Sequence, residues 1–171
     1  MLIVLTGEKG AGKSTFLMEL VHHVKKPCGV VCIRPKKGVL EANLFPSREK
    51  LILADESGDG GEEAVKFCSY FFRTAALAKV NETIAKGADT GTLLVDEAGF
   101  WELEGGGYAP NMEMIAARKL PTVLSVRKDA LADICAKWGL KPALTVDVGL
   151  LGADKTCGII RTAVLSHPPA Q

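Results

Sequence analysis

Two stretches of this sequence carry residues whose types and spacing could do chemistry. The first is Gly7–Ser14, "GEKGAGKS". Its glycines let the backbone turn so that successive N–H groups face one hollow, while Lys13 adds a cation and Ser14 a hydroxyl. The second is "LLVDEAGFWELEGGGY", Leu93–Tyr108, in which an apolar run ends in two adjacent carboxylates, Asp96 and Glu97. Glu102, Glu104 and three consecutive glycines follow.

The first stretch is G-x-x-x-x-G-K-S, the P-loop or Walker A pattern. In that pattern the backbone of Gly7, Glu8, Lys9, Gly10, Ala11 and Gly12 would wrap phosphate oxygens, helped by the positive end of the helix that follows. Lys13 would reach the β- and γ-phosphates, the Ser14 hydroxyl would ligate Mg2+, and Thr15 would contact an inner phosphate. The pattern points to a nucleoside triphosphate without naming the reaction.

A second carboxylate at a neighbouring strand end is needed to hold the magnesium through water. Asp96 supplies it. Asp147 ranks second, because the apolar pattern of "ALTVDVGL" continues past it, and Asp55 and Asp154 lack the apolar run. Glu97, directly after Asp96, is placed to orient and deprotonate a water, which is the chemistry of hydrolysis. Ser125 and Arg127, at the end of "TVLSVRK", would share the rim of a parallel sheet with Asp96 and the P-loop. From there Ser125 could sense the γ-phosphate, and Arg127 could neutralise charge developing on the transferring phosphoryl group. Arg34, Arg73 and Arg118 are weaker candidates. Glu102 and Glu104 either line a pocket or face solvent, and the triple glycine reads as the hinge of a covering segment that carries Trp101.

These residues need elements to position them. "LIVLT" (2–6) is a short apolar run stopped by glycine, hence a buried strand. A helix is expected from Lys13 to Lys26, with Leu17, Leu20, Val21 and Val24 inward and Pro27 as its stop. Residues 29–53 break into short apolar pieces separated by turn residues, reading as two or three antiparallel strands. The acidic loop 55–63 should lead into a helix reaching about Gly87, with Phe71, Ala75, Leu77, Ala78, Val80 and Ile84 inward. "TLLVD" (92–96) and "TVLSV" (122–126) are further buried strands. Asn111 is expected as an N-cap, with Met112, Ile115 and Ala116 inward. Leu131, Ile134, Cys135 and Trp138 mark another helix. "ALTVDV" and "TCGIIRTAVL" are expected as two closing strands around "GADK". Strand–helix alternation about buried strands predicts one α/β domain over residues 1–171, a mainly parallel sheet between two helical layers with antiparallel edges.

Composition narrows the function. In 171 residues, 21 Lys and Arg face 20 Asp and Glu, a net charge of +1 that disfavours nucleic acid or membrane held by bulk electrostatics. No apolar run approaches the ~20 residues of a membrane span, and the start lacks a signal-peptide pattern. The five cysteines, Cys28, Cys32, Cys68, Cys135 and Cys157, are scattered and fit reduced thiols of a cytoplasmic protein.

With its P-loop at Gly7, "VDEAGFWELEGGGY" in the middle and "LSVRKDALADI" downstream, the chain resembles the small P-loop nucleoside-triphosphatases that include the cancer-related nucleoside-triphosphatase. Their mark is a strand ending in an Asp-Glu-(apolar)-Gly loop with a further glutamate, here Asp96, Glu97, Ala98, Gly99 and Glu102. The resemblance covers the first ~26 residues and about 65–140. It implies a RecA-like three-layer fold and magnesium-dependent hydrolysis of several nucleoside triphosphates (ATP, GTP, CTP, UTP) to diphosphate and phosphate. Lys9 stands where the family commonly has proline, Ser14 where it has threonine, and residues 29–53 keep little beyond Arg34. The absence of an N-K-x-D motif disfavours a dedicated GTPase. Two alternatives remain at this stage: a small-molecule or nucleotide kinase, and a nucleotide-driven switch serving a protein partner.

Overall fold

Strand β1, Leu2–Thr6, is buried along its whole length, because apolar side chains alternate to both of its faces. Leu2 and Val4 join one hydrophobic cluster and Ile3 and Leu5 the other, so this strand needs a helical layer on each side. The computed structural model describes residues 1–58, 63–151 and 153–165.

Helix α1 (Lys13–Leu20) follows the P-loop. Then come β2 (Pro27–Lys36), β3 (Val39–Phe45), β4 (Lys50–Asp55), β5 (Ala64–Phe67) and β6 (Tyr70–Arg73). Next are α2 (Thr74–Lys86), β7 (Thr92–Ala98), the short α3 (Phe100–Leu103) and α4 (Met112–Ala117). The chain continues with β8 (Thr122–Val126), α5 (Leu131–Trp138), β9 (Leu144–Asp147), α6 (Val148–Leu151) and α7 (Ala153–Leu165).

The strands form one nine-stranded sheet in the order β5-β6-β4-β3-β2-β7-β8-β1-β9. The half containing β2, β7, β8, β1 and β9 is parallel, and the pairs β2–β3, β3–β4, β4–β6 and β6–β5 are antiparallel. Helices α1 and α7 cover one face through Phe16, Leu17, Leu20, Ile160 and Val164. Helices α2, α4 and α5 cover the other through Val80, Ile84, Met112, Ile115 and Ile134. The expected α/β three-layer architecture with antiparallel edge strands is present.

Several local expectations are corrected. Helix α1 ends at Leu20, not Lys26, and Pro27 opens β2 rather than stopping a helix. The helix expected to begin in the acidic loop starts only at Thr74; before it, β5 and β6 form a hairpin. Val65, Phe67, Tyr70, Phe71 and Phe72 are strand formers, and Cys68 takes a left-handed conformation (φ 51°) at the turn. Ala75 and Ala78, expected inward, are exposed. Within the acidic loop, residues 59–62 lie outside the described residues.

The last expected strand is instead α7, and the hairpin around "GADK" does not form; Gly152 of that turn lies outside the described residues. Thr156, Ile160 and Val164 recur every fourth residue and are all buried, a helical stripe that β-branched composition disguised. Asn111 caps no helix through its side chain, which donates to the Asn81 carbonyl and amide oxygens; Ala116 is exposed.

Candidate functional site

The P-loop sits between β1 and α1, as its pattern requires. Gly10 and Gly12 adopt φ of 81° and 90°, backbone that side-chain-bearing residues rarely take, and the Gly12 turn opens α1. Lys13 Nζ folds into the loop and donates to the carbonyls of Gly7 (2.8 Å) and Glu8 (2.9 Å). Its cation is thus held at the centre of the cradle by weak neutral acceptors that a phosphate would replace.

Asp96 and Ser125 lie at the C-terminal ends of β7 and β8, fully buried. Because β7 and β8 are parallel to each other and β8 to β1, these ends meet the P-loop on one rim. Asp96 Oδ2 accepts the Cys32 N–H (3.1 Å) and Oδ1 the Glu97 N–H (2.9 Å). Burial pushes its carboxyl up, Glu97 adds to this, and the Ser14 and Ser125 hydroxyls and the Cys32 N–H pull it down. Although Ser125 Oγ favours the ionised carboxylate, it makes no hydrogen bond of full geometry. A buried acid whose ionised form is favoured by the P-loop serine and by the Ser125 hydroxyl is a hard-oxygen donor set that fits Mg2+. Ser14 and Asp96 are the residues that would hold it.

Glu97, expected to orient a water, sits in an unusual backbone setting. Adjacent side chains on an extended strand point to opposite sides. Here the β7–β8 pairing shifts register between Val95 and Ala98, and Glu97 takes φ 68°. This bulge turns Glu97 back towards the rim, where its Oε1 accepts from Arg34 Nη1 at 2.8 Å. A non-glycine residue in this conformation is strained, and such strain concentrates at functional sites. Arg34, a weaker candidate from the sequence, thus joins β2 to the acidic turn, and it lines the cleft beside Tyr70 of the hairpin.

Arg127 lines the same cleft. Its guanidinium chelates Asp129 (3.1 and 2.7 Å) and rests 5.0 Å from the Phe100 ring centroid. To reach a phosphoryl group it must exchange Asp129. Asp147, the second-choice acid, is held by Lys128 at 3.0 Å and by the Gly149 N–H, which binds it away from a metal role. Arg73 pairs with Asp55, and Arg118 donates to the carbonyls of Gly87, Ala88, Gly91 and Pro121, a structural clamp.

The remaining acids separate cleanly. Glu104 is exposed. Glu102 is 2% exposed, with its carboxylate accepting the N–H groups of Gly99 (2.6 Å) and Tyr108 (2.9 Å). It closes the loop with both oxygens engaged, at the wall of the same cleft. In the triple glycine, a Cβ on Gly106 would strike the Trp101 indole and one on Gly107 the Glu102 carboxylate, while Gly105 faces open space. Glycine is there to let the loop pack onto itself, and Asn81 fixes it to α2 by donating to the Gly107 carbonyl (3.0 Å).

These parts surround one cleft of about 570 Å³, lined by Lys9–Thr15, Arg34, Glu97 and Arg127 at its polar end and by aromatic and aliphatic side chains beyond. The aromatic wall was missed from sequence. Its signal was the run "FCSYFF" (67–72), which was absorbed into a helix. Trp101 stacks on Phe67 (5.3 Å between centroids, 17°) and tilts against Phe72 (4.3 Å).

Comparison with solved structures then gives the fold its relatives. THEP1 from the hyperthermophile Aquifex aeolicus superposes with a TM-score of 0.70 at 18% identity, over 97% of this chain and 98% of that one. A human cancer-related nucleoside triphosphatase superposes with a TM-score of 0.64 at 14% identity, over 96% and 97%. The chain has the THEP1-like P-loop NTPase fold. The fold that the resemblance implied is therefore matched along nearly the whole chain. No model of a known family matches the sequence. No curated protein matches it either. Among the described residues no helix is long and apolar enough to cross a membrane, and Cys28, Cys32, Cys68 and Cys135 are free thiols.

Proposed function

We propose that residues 1–171 work as one magnesium-dependent nucleoside-triphosphatase domain that hydrolyses ATP and other nucleoside triphosphates to diphosphate and phosphate. The observation that carries this reading is the strained Asp96-Glu97 turn. It aims a carboxylate at the rim where Ser14 and Asp96 meet, within reach of the γ-phosphate of a triphosphate in the P-loop. The human structural relative is by name a nucleoside triphosphatase, which supports the same class.

In this reading the loop amides of Gly7–Gly12 and Lys13 bind the phosphates, and Thr15 contacts an inner one. When bound, Mg2+ neutralises charge on the β- and γ-phosphates. Glu97 Oε accepts a proton from the attacking water, and its pairing with Arg34 fixes which direction the carboxylate faces. Arg127, once released from Asp129, stabilises charge on the transferring group. The balanced free charge, the free thiols and the lack of a membrane-crossing helix among the described residues are what a cytoplasmic enzyme needs.

Glu97→Gln tests it. The amide keeps the Arg34 contact through its oxygen but cannot take a proton. Phosphate release should fall about 10²–10⁴-fold while nucleotide affinity holds. Turnover near that of the unaltered protein removes the role from Glu97.

A further inference from the structure

The cleft takes its wall from much more than the P-loop. Its wall comes from the P-loop, β2, β3, β4, the β5–β6 turn, α2, the loop after β7 and Arg127. No described residue of β9, α6 or α7 lines it. In a P-loop, the lysine, the serine and the strand-end aspartate mark the β/γ end of the phosphate chain. Here that end faces Glu97 and Arg34, so the nucleoside leaves on the opposite side. What lies past Glu97 lies past the γ-phosphate.

That far end is apolar. Leu40, Leu53, Phe72, Leu77, Trp101 and Tyr108 form its wall. Leu40, Leu53 and Tyr108 are 5%, 1% and 4% exposed, so the wall is part of the folded core and already formed. Among the polar groups that line the cleft beside this wall, Arg34 and Glu97 pair at 2.8 Å, the Tyr108 hydroxyl meets the Cys32 thiol at 3.6 Å, and Glu102 is held by the Gly99 and Tyr108 N–H groups. Phosphates cannot use such a surface, and a cavity of this size, mostly apolar with a few convergent polar groups, is the usual form of a small-molecule site.

We propose that the apolar end is a second ligand site, taking a flat aromatic molecule that carries a hydroxyl on the edge facing Glu97 and Arg34. The rings of Phe72, Trp101 and Tyr108 suit a planar body, and the acid–base pair at the mouth suits a group that both donates and accepts. This rests on the P-loop reading for its polarity. An occupant stands where the attacking water must stand, so it lowers phosphate release without competing for the nucleotide.

The test uses 2-naphthol as probe, titrated by calorimetry into the full chain with and without saturating ADP and Mg2+. It should bind once per chain in both conditions and reduce phosphate release without raising the KM for ATP. Leu77→Phe, which fills the compartment, should weaken the probe about tenfold or more and leave the affinity for ADP unchanged. Should that variant not fold, Phe72→Leu removes a ring and must weaken the probe as well. Displacement of 2-naphthol by ADP, undiminished binding to the folded variant, or no binding overturns the site. Retained 2-naphthol binding with no ADP binding at all overturns the nucleotide reading instead.

Discussion

Glu102 offers the sharpest separation of structure from chemistry, because it sits five residues after Glu97 in the same acidic loop yet has a different surrounding. Its two oxygens satisfy the N–H groups of Gly99 and Tyr108 in a site 2% exposed. In Glu102→Gln one N–H keeps its oxygen, and the other faces the new NH2 with no acceptor. Leaving one buried donor unsatisfied costs about 1–3 kcal/mol. In Glu102→Ala both donors are orphaned and a cavity opens, for about 4 kcal/mol. For a chain of this size each kcal/mol moves the melting temperature by about 2–4 °C. The expected losses are therefore about 2–12 °C for the glutamine and about 8–16 °C for the alanine, read by circular dichroism.

The pH dependence adds a second reading on the same variants. Burial raises the Glu102 carboxyl above the ordinary glutamate range and outweighs the two N–H groups that lower it. The folded state thus holds the proton more tightly than the unfolded chain. That contribution is complete below the unfolded value of ~4.3 and is lost as pH rises through the folded one. The stability gap between the unaltered protein and Glu102→Gln should widen on acidification from about pH 8 towards about pH 4.5. Phosphate release per folded molecule, measured well below both melting temperatures, should stay within about threefold. Equal melting temperatures, or loss of turnover comparable to that of Glu97→Gln in a fully folded variant, would refute a purely structural Glu102.

Two further predictions follow from the geometry. Gly29 has φ 102°, and a Cβ there would fall on the Leu94 carbonyl of the neighbouring strand, so Gly29→Ala should cost about 3 kcal/mol or more in urea unfolding; a loss below ~1 kcal/mol argues that β2 can shift against β7. Lys128 holds the Asp147 carboxyl below the ordinary range, and its bridge stabilises the fold above the unfolded carboxylate value and fades as pH falls through the lowered one. In Lys128→Met, an NMR titration of Asp147 should move up towards the ordinary value, and an unchanged titration would reject the bridge as its cause.

How much of this was legible in the sequence depended on whether the signal was local. The P-loop and the strand ends at Asp96, Ser125 and Arg127 were readable because short apolar runs stopping at polar residues carry their own boundaries. The β5–β6 hairpin was not, since Phe71 lies four residues before Ala75 and so extends an apparent helical stripe backwards from α2. What decided for strand was tertiary: Val65 and Phe72 pair across the turn, and Ala54 of β4 pairs with Phe72 on the other side. For α7 the reverse held. Ile159, Ile160, Thr162 and Val164 have strand-like composition, and packing of Ile160 and Val164 onto the sheet face with α1 overrode it.

The acidic loop shows why residue type alone could not assign roles. Asp96, Glu97, Glu102 and Glu104 are the same functional group in four backbone settings. Two buried N–H groups make Glu102 a brace, and exposure leaves Glu104 without a fixed partner in the cleft. Asp96 is buried against a hydroxyl pair that suits a cation. Glu97 alone combines a strained backbone, a single side-chain partner and a place on the rim. Strain persists only where surrounding contacts over-determine it. Here the Glu97 N–H bond to Asp96, the bulge against β8 and the Arg34 pair all hold the turn. Lys26, Arg48 and Cys68 also take positive φ, so what sets Glu97 apart is that its strained turn stands directly after Asp96 on the wall of the P-loop cleft, and the proposed role rests on that conjunction.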